Sequence, residues 1–222
     1  MHDHDHMHEV GPLYCETPLS VPAAFPVELI NTVTSLVPSL FGVLAIVWLW
    51  RVGSRRPELY TLGVLAVATG VGSALWHGLR TPLSLALDVF PGVLYFLLFT
   101  FLWTHRLGGY RLAVAVPLLL ATLVIGLFWL EPSFAPEGPP LAFFVGTALV
   151  SFGLIALTYR RDRRAGHLAT LMIAAALLAA GFRTIDLATC GLIPFGTHFL
   201  WHVFLGAAVY LGVRLLATLK RA

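Results

Sequence analysis

The chain has 222 residues, of which 58% are apolar and 11% charged, and a mean hydropathy of +0.85. That composition lies far outside the range of soluble domains. The net charge of +3 is distributed over separate segments, which excludes a nucleic-acid surface, and the chain is expected to be all-α and polytopic in a membrane.

In chain order, the tail His2-Asp3-His4-Asp5-His6-Met7-His8 alternates imidazole and carboxylate. Such a tract binds zinc, copper or nickel loosely, but ligands on a floppy chain define no geometry, so a disordered tail is the preferred reading. Residues 1–24 lack a basic region followed by a continuous apolar core, so no cleavable signal peptide is expected. They are read as an extramembrane N-terminal segment ahead of one transmembrane domain, 25–222.

A helix needs about 20 apolar residues to cross the hydrocarbon core. Seven segments qualify: Pro26 to Trp50, Leu59 to Leu79, Leu83 to Trp103, Tyr110 to Leu130, Pro139 to Tyr159, His167 to Asp186 and Thr197 to Leu219. Those lengths predict helices and exclude the short alternating strands of a barrel. Short loops are expected at Arg51 to Glu58, Thr104 to Gly109 and Arg160 to Gly166, with a solvated turn at Glu131 to Gly138. Pro38, Pro91 and Pro117 fall inside helices and predict kinks.

With the N-terminus outside and the C-terminus cytoplasmic, twelve basic residues lie on the cytoplasmic side and only Arg80 and Arg183 outside. That is the orientation positive-inside bias selects. Cys15 and Cys190 then share the outer, oxidising side, where a disulfide is expected and two free thiols are the alternative.

This topology also places rare polar groups at one depth. His77 lies near the outer end of the second span, Asp88 about one and a half turns into the third, and His198 and His202 in the first two turns of the seventh. Residues four apart share a helix face, so His198 and His202 can reach one ion. Alone, that pair fits an interhelical hydrogen bond as well as a metal site. Convergence with His77, Asp88 and Ser73, four residues before His77, changes the balance. Three imidazoles, a carboxylate and a hydroxyl match a catalytic zinc site with one position left for water. Glu28, Asn31 and Ser35 share a face of the first helix, for a second cation or for cross-linking helices. Arg183 and Asp186 read as an i,i+3 ion pair, with a substrate headgroup contact as the alternative.

Ser73-x-x-x-His77, Asp88 eleven residues on, His198-x-x-x-His202 and Glu28-Leu-Ile-Asn31-Thr-Val resemble the alkaline ceramidases. These belong to a superfamily of seven-helix membrane hydrolases that also contains the adiponectin-type receptors. Tyr14-Cys15-Glu16, Asp88-Val-Phe-Pro91 and Ile185-Asp186-Leu-Ala-Thr-Cys190 match as well, so the resemblance spans nearly the whole chain. It implies a zinc-dependent amidase acting on the N-acyl bond of ceramide. His77, His198 and His202 would hold Zn2+, Asp88 would handle the water proton, and Ser73 would stabilise the oxyanion or orient the water. It also implies a Ca2+ site near the N-terminus, where Glu16 and Glu28 match carboxylate positions while Leu13 and Pro18 depart from the oxygen-ligand pattern.

Two function classes follow. One is an intramembrane amidase for a ceramide-like lipid; the other is a receptor or lipid sensor with structural zinc, which has no need of Ser73 and Asp88. A retinal pump is excluded, because the only lysine is Lys220, at the cytoplasmic end.

Overall fold

Backbone N–H and C=O groups removed from water must bond to one another, and among its described residues this chain satisfies them chiefly as helix. The computed structural model describes residues 13–18, 25–130 and 141–219. The His-rich tail and the turn Glu131 to Gly138 lie outside the described residues. Among the described residues are eight helices and no strand: α1 (Leu29–Thr34), α2 (Leu36–Arg51), α3 (Pro57–Leu79), α4 (Pro82–Leu130), α5 (Leu141–Arg161), α6 (Arg163–Thr184), α7 (Asp186–Thr189) and α8 (His198–Thr218). Five stretches, Leu29–Arg51, Pro57–Leu79, Pro82–Leu120, Arg163–Thr184 and His198–Thr218, are long and apolar enough to cross a membrane. The protein is an integral, multi-pass membrane protein.

Two expected loops are shorter than the sequence reading placed them. Helix α4 departs from helical angles only at Gly108 and Gly109, the latter at φ +67°, a conformation glycine adopts without steric cost. The rings of Phe101 and Tyr110 lie 6.1 Å apart, whereas nine residues of straight helix would separate them by about 13 Å. The chain therefore turns back at the two glycines, giving arms 82–107 and 110–130, and Thr104 to Leu107 remain helical. The expected loop Arg160 to Gly166 shrinks to Asp162, whose carboxylate accepts the Ala165 N–H at 2.7 Å and caps α6. With the two arms counted separately and α1 and α2 taken together, seven long helical units remain, the number expected.

Pro38 lies just past a break between two helices. It has no N–H for the Thr34 carbonyl, and the helix is interrupted at Ser35, between α1 and α2. At Pro91 and Pro117 the backbone stays helical.

Helix α3 packs against α2 and α4, and α8 against α2 and α6. Gly72 sets the distance between α3 and α4, since a Cβ there would collide with the Leu87 carbonyl. Thr81 and Ser84 start α4 with a reciprocal cap, Ser84 N–H to Thr81 Oγ1 at 3.2 Å and Thr81 N–H to Ser84 Oγ at 3.0 Å, so Asp88 falls in its second turn. Leu49, Leu59, Leu62, Val213, Leu215 and Leu216 form a fully buried core toward the end opposite the histidines. Leu40, Val64, Leu118 and Leu171 face outward, where the solvent is lipid.

Candidate metal centre

His77, His198 and His202, each 1% exposed, come from α3 and α8 and face one point. Their ring centroids are 5.1, 5.1 and 4.8 Å apart, and one ligand atom from each lies within 4.8 Å of the others. Three imidazoles so arranged can hold a metal ion.

The surrounding groups settle which nitrogen two of the rings turn inward. His77 Nδ1 bonds to the Glu28 carboxylate, which accepts only, so Nδ1 carries the proton and Nε2 keeps its lone pair. The Thr34 hydroxyl lies 2.7 Å from the Ile30 carbonyl and 3.0 Å from His202 Nδ1. Its single hydrogen satisfies the carbonyl, so it accepts from His202 Nδ1–H, again freeing Nε2. Carboxylate or hydroxyl behind imidazole is the outer arrangement that orients metal-ligating histidines. The third ring is held by ring contact: Tyr14 lies 3.9 Å from His198, centroid to centroid, tilted by 30°. Burial pushes the Tyr14 phenol above its ordinary pKa, so it stays neutral against that ring. His198 Nδ1 is buried without a hydrogen-bond partner among the described residues. A buried nitrogen left open beside two oriented imidazoles fits a metal ligand set.

Ser73 and Asp88 reach the same place. The Ser73 hydroxyl is 3.1 Å from that of Ser35, which itself lies 3.3 Å from His202 Nε2. The Ser73 hydroxyl also hydrogen-bonds to the half-buried Asp88 carboxylate, which faces the His77 ring and the charge of Arg183. The contact of α3 with α4 at Gly72 is what brings these two side chains together.

The N-terminal segment closes the site. Cys15 and Cys190 stand at disulfide distance, Cα to Cα 5.3 Å, as their shared side predicts. Asp186 is the second tether: its carboxylate accepts the N–H groups of Cys15 at 3.0 Å, Thr197 at 2.6 Å and His198 at 2.8 Å. One side chain thus caps α8, sets the height of His198 and holds the segment carrying Tyr14. Gly196, at φ +66°, is required where it stands, because a Cβ would collide with that carboxylate.

One expectation changes on this geometry. Asp186 makes no ion pair with Arg183 among the described residues; the exposed Arg183 guanidinium instead lies 5.2 Å over the Trp201 ring. Glu16 and Glu28 face donors. Glu16 accepts the Ile30 and Asn31 N–H groups at 2.6 and 2.9 Å and caps α1. Glu28 accepts from Thr17 at 2.6 Å and His77, with Arg80 at 3.5 Å. Neither arrangement adds support for calcium. Tyr14, Thr34 and the threefold role of Asp186 escaped the sequence reading, although Tyr14 and Asp186 stand in the segments that carried the resemblance.

A search of curated proteins returns no match. A buried tri-imidazole cluster with a hydroxyl and a carboxylate, inside a membrane bundle and under a disulfide-clipped segment, is the arrangement the sequence resemblance implied. The profile of the Ceramidase family matches residues 14–222, nearly the whole of that bundle and its closing segment, and the chain belongs to the ceramidase family.

Proposed function

We propose that the protein is an intramembrane zinc-dependent amidase that hydrolyses the N-acyl bond of ceramide or a related N-acyl lipid to a fatty acid and an amine. The family implies an amidohydrolase with a lipid substrate, and the convergence of His77, His198 and His202 with Asp88 and Ser73 carries the finer reading. The three imidazoles would hold the zinc, which when bound lowers the pKa of a water and polarises the amide carbonyl. Asp88 takes the proton of the attacking water and returns it to the leaving amine. Ser73 donates a hydrogen bond to the oxygen that becomes negative. Glu28 and Thr34 keep two rings aimed, and Tyr14 covers the third. The basic residues place the N-terminus outside and the C-terminus in the cytoplasm, so the centre lies in the outer half of the membrane.

A receptor with structural zinc has no use for a carboxylate and a hydroxyl beside the ligands, and no contact favours it. The test is fatty-acid release from a panel of N-acyl lipids by purified protein, with and without a zinc chelator. Release that stops on chelation and returns with zinc is expected. A zinc-loaded protein that cleaves no N-acyl lipid overturns the reading.

A further inference from the structure

Directly beneath the site lies a cavity of about 220 Å³ that the chemistry of the centre does not use. Four helices enter its wall one turn from a site residue: Pro38 three past Ser35, Thr69 four before Ser73, Gly92 four past Asp88, and Leu205 three past His202. One turn is about 5.4 Å. Because α3 reaches the cavity against its chain direction and the others along it, all four steps point the same way, and cavity and site share a boundary.

The far end is lined by an aromatic column on α4. Tyr95, Phe99 and Trp103 follow at four-residue spacing and line the cavity, with rings 6.1 and 5.6 Å apart. Two members are pinned: Tyr95 donates to the Val209 carbonyl at 3.0 Å, and the Trp103 indole N–H donates to Thr158 Oγ1 at 3.0 Å. Thr158 donates in turn to the Leu154 carbonyl at 2.7 Å. From Gly92 to Trp103 is 11 residues, about 16 Å of helix. The lining is apolar apart from a few hydroxyl groups, and the Thr69 hydroxyl is already bonded to the Leu65 carbonyl at 2.8 Å. Such a space offers a hydrocarbon contacts that it offers no polar ligand. Its volume, below the roughly 300 Å³ at which drug-sized ligand pockets begin, suits a slender chain.

We propose that this cavity receives one hydrocarbon chain of the lipid substrate and that Trp103, held by Thr158, is the floor that sets the longest chain accepted. The proposal rests on the amidase reading and deepens it, naming Trp103 as a specificity-determining residue.

The experiment has two arms. In the first, kcat/KM is measured for N-acyl lipids of one headgroup and increasing acyl length, in wild type, Trp103→Ala and Thr158→Val. Wild type is expected to gain up to about fourfold per added methylene, then to fall once the chain meets the floor. Trp103→Ala should move that fall to longer chains, with the ratio of long-chain to short-chain kcat/KM rising on the order of tenfold, the change about two methylenes would make. Thr158→Val, which frees the indole without removing it, should move it the same way by less. In the second arm, which needs no turnover, an N-acyl lipid with a photoreactive group at the chain end is cross-linked and the labelled peptide identified. Label on Trp103, Leu154 or Met172 is expected. An unchanged length profile in folded Trp103→Ala and Thr158→Val, or label confined to outward-facing residues, overturns the proposal. Label at the floor from a protein that hydrolyses no N-acyl lipid supports the chain cavity while removing the amidase.

Discussion

At the histidine end of the bundle, Glu28, Asp186 and three imidazoles are at most 1% exposed, and at the opposite end Arg106 is 3% exposed beside Glu58. The far-end charges close a helix. Arg106 pairs with Glu58 at 3.2 Å and donates to the Leu216 carbonyl, while Arg56 donates to the Leu216 carbonyl at 3.2 Å and to those of Ala217 and Leu219 at 3.4 Å. Those carbonyls end α8 and lack intrahelical donors, so the cations satisfy both the orphan oxygens and the negative end of the helix dipole. At the histidine end, carboxylates and hydroxyls instead aim imidazoles, and some polar atoms are left over. Among the described residues, Asn31 Oδ1, Trp76 Nε1 and His198 Nδ1 are buried without a hydrogen bond. Each such atom costs about 1–3 kcal/mol, a cost a fold sustains where a ligand completes the set. Buried charge by itself therefore does not mark a site; the unfilled partner does.

Mutations at both ends can break that contrast. The largest effect is expected for His198→Ala combined with His202→Ala, which should abolish hydrolysis and leave less than one zinc per chain by metal analysis; undiminished zinc would remove the centre. Next, Asp88→Asn should lower turnover by about 10² to 10⁴, while zinc content stays near one per chain because the imidazoles are untouched. Full activity in that variant would show that Asp88 carries no proton. Glu28→Gln should weaken zinc binding by about 10- to 100-fold, as loss of an outer partner does, measured by competition with a chelator. The far end supplies the control: Arg106→Met should lower the thermal midpoint in detergent, because it leaves the Leu216 carbonyl and the half-buried Glu58 without that partner. Activity per folded molecule should not change. If Arg106→Met instead alters zinc affinity as Glu28→Gln does, the ends are coupled and the comparison fails.

The sequence reading picked out the residues that the fold brings together better than the groups behind them. His77, Asp88, His198 and His202 were legible because an ionisable group is rare in a membrane segment, and charge bias assigned all four one depth. Cys15 and Cys190 were paired by the same logic. The Arg183 and Asp186 expectation failed because i,i+3 spacing presumes one continuous helix, whereas α6 ends at Thr184 and Asp186 opens α7. Its carboxylate turns to three backbone N–H groups, one of them 171 residues away. The loops at Thr104 and Arg160 were drawn too long because polar and basic residues look like loop, yet buried threonine and N-capping aspartate belong to helix ends as readily.

The sequence by itself determined that the chain is helical, lives in a membrane and carries three imidazoles, a hydroxyl and a carboxylate at one level, because apolar run length and the cost of burying charge are local properties of composition. Only the tertiary structure decided which groups stand behind those imidazoles, that Tyr14 covers His198, and that an apolar chamber ending at Trp103 opens below them. Each of these depends on how helices are rotated about their axes and how closely they approach. Rotation and approach are governed by contacts such as Gly72 on Leu87 and Asp186 on Cys15, between residues whose spacing along the chain says nothing of their meeting.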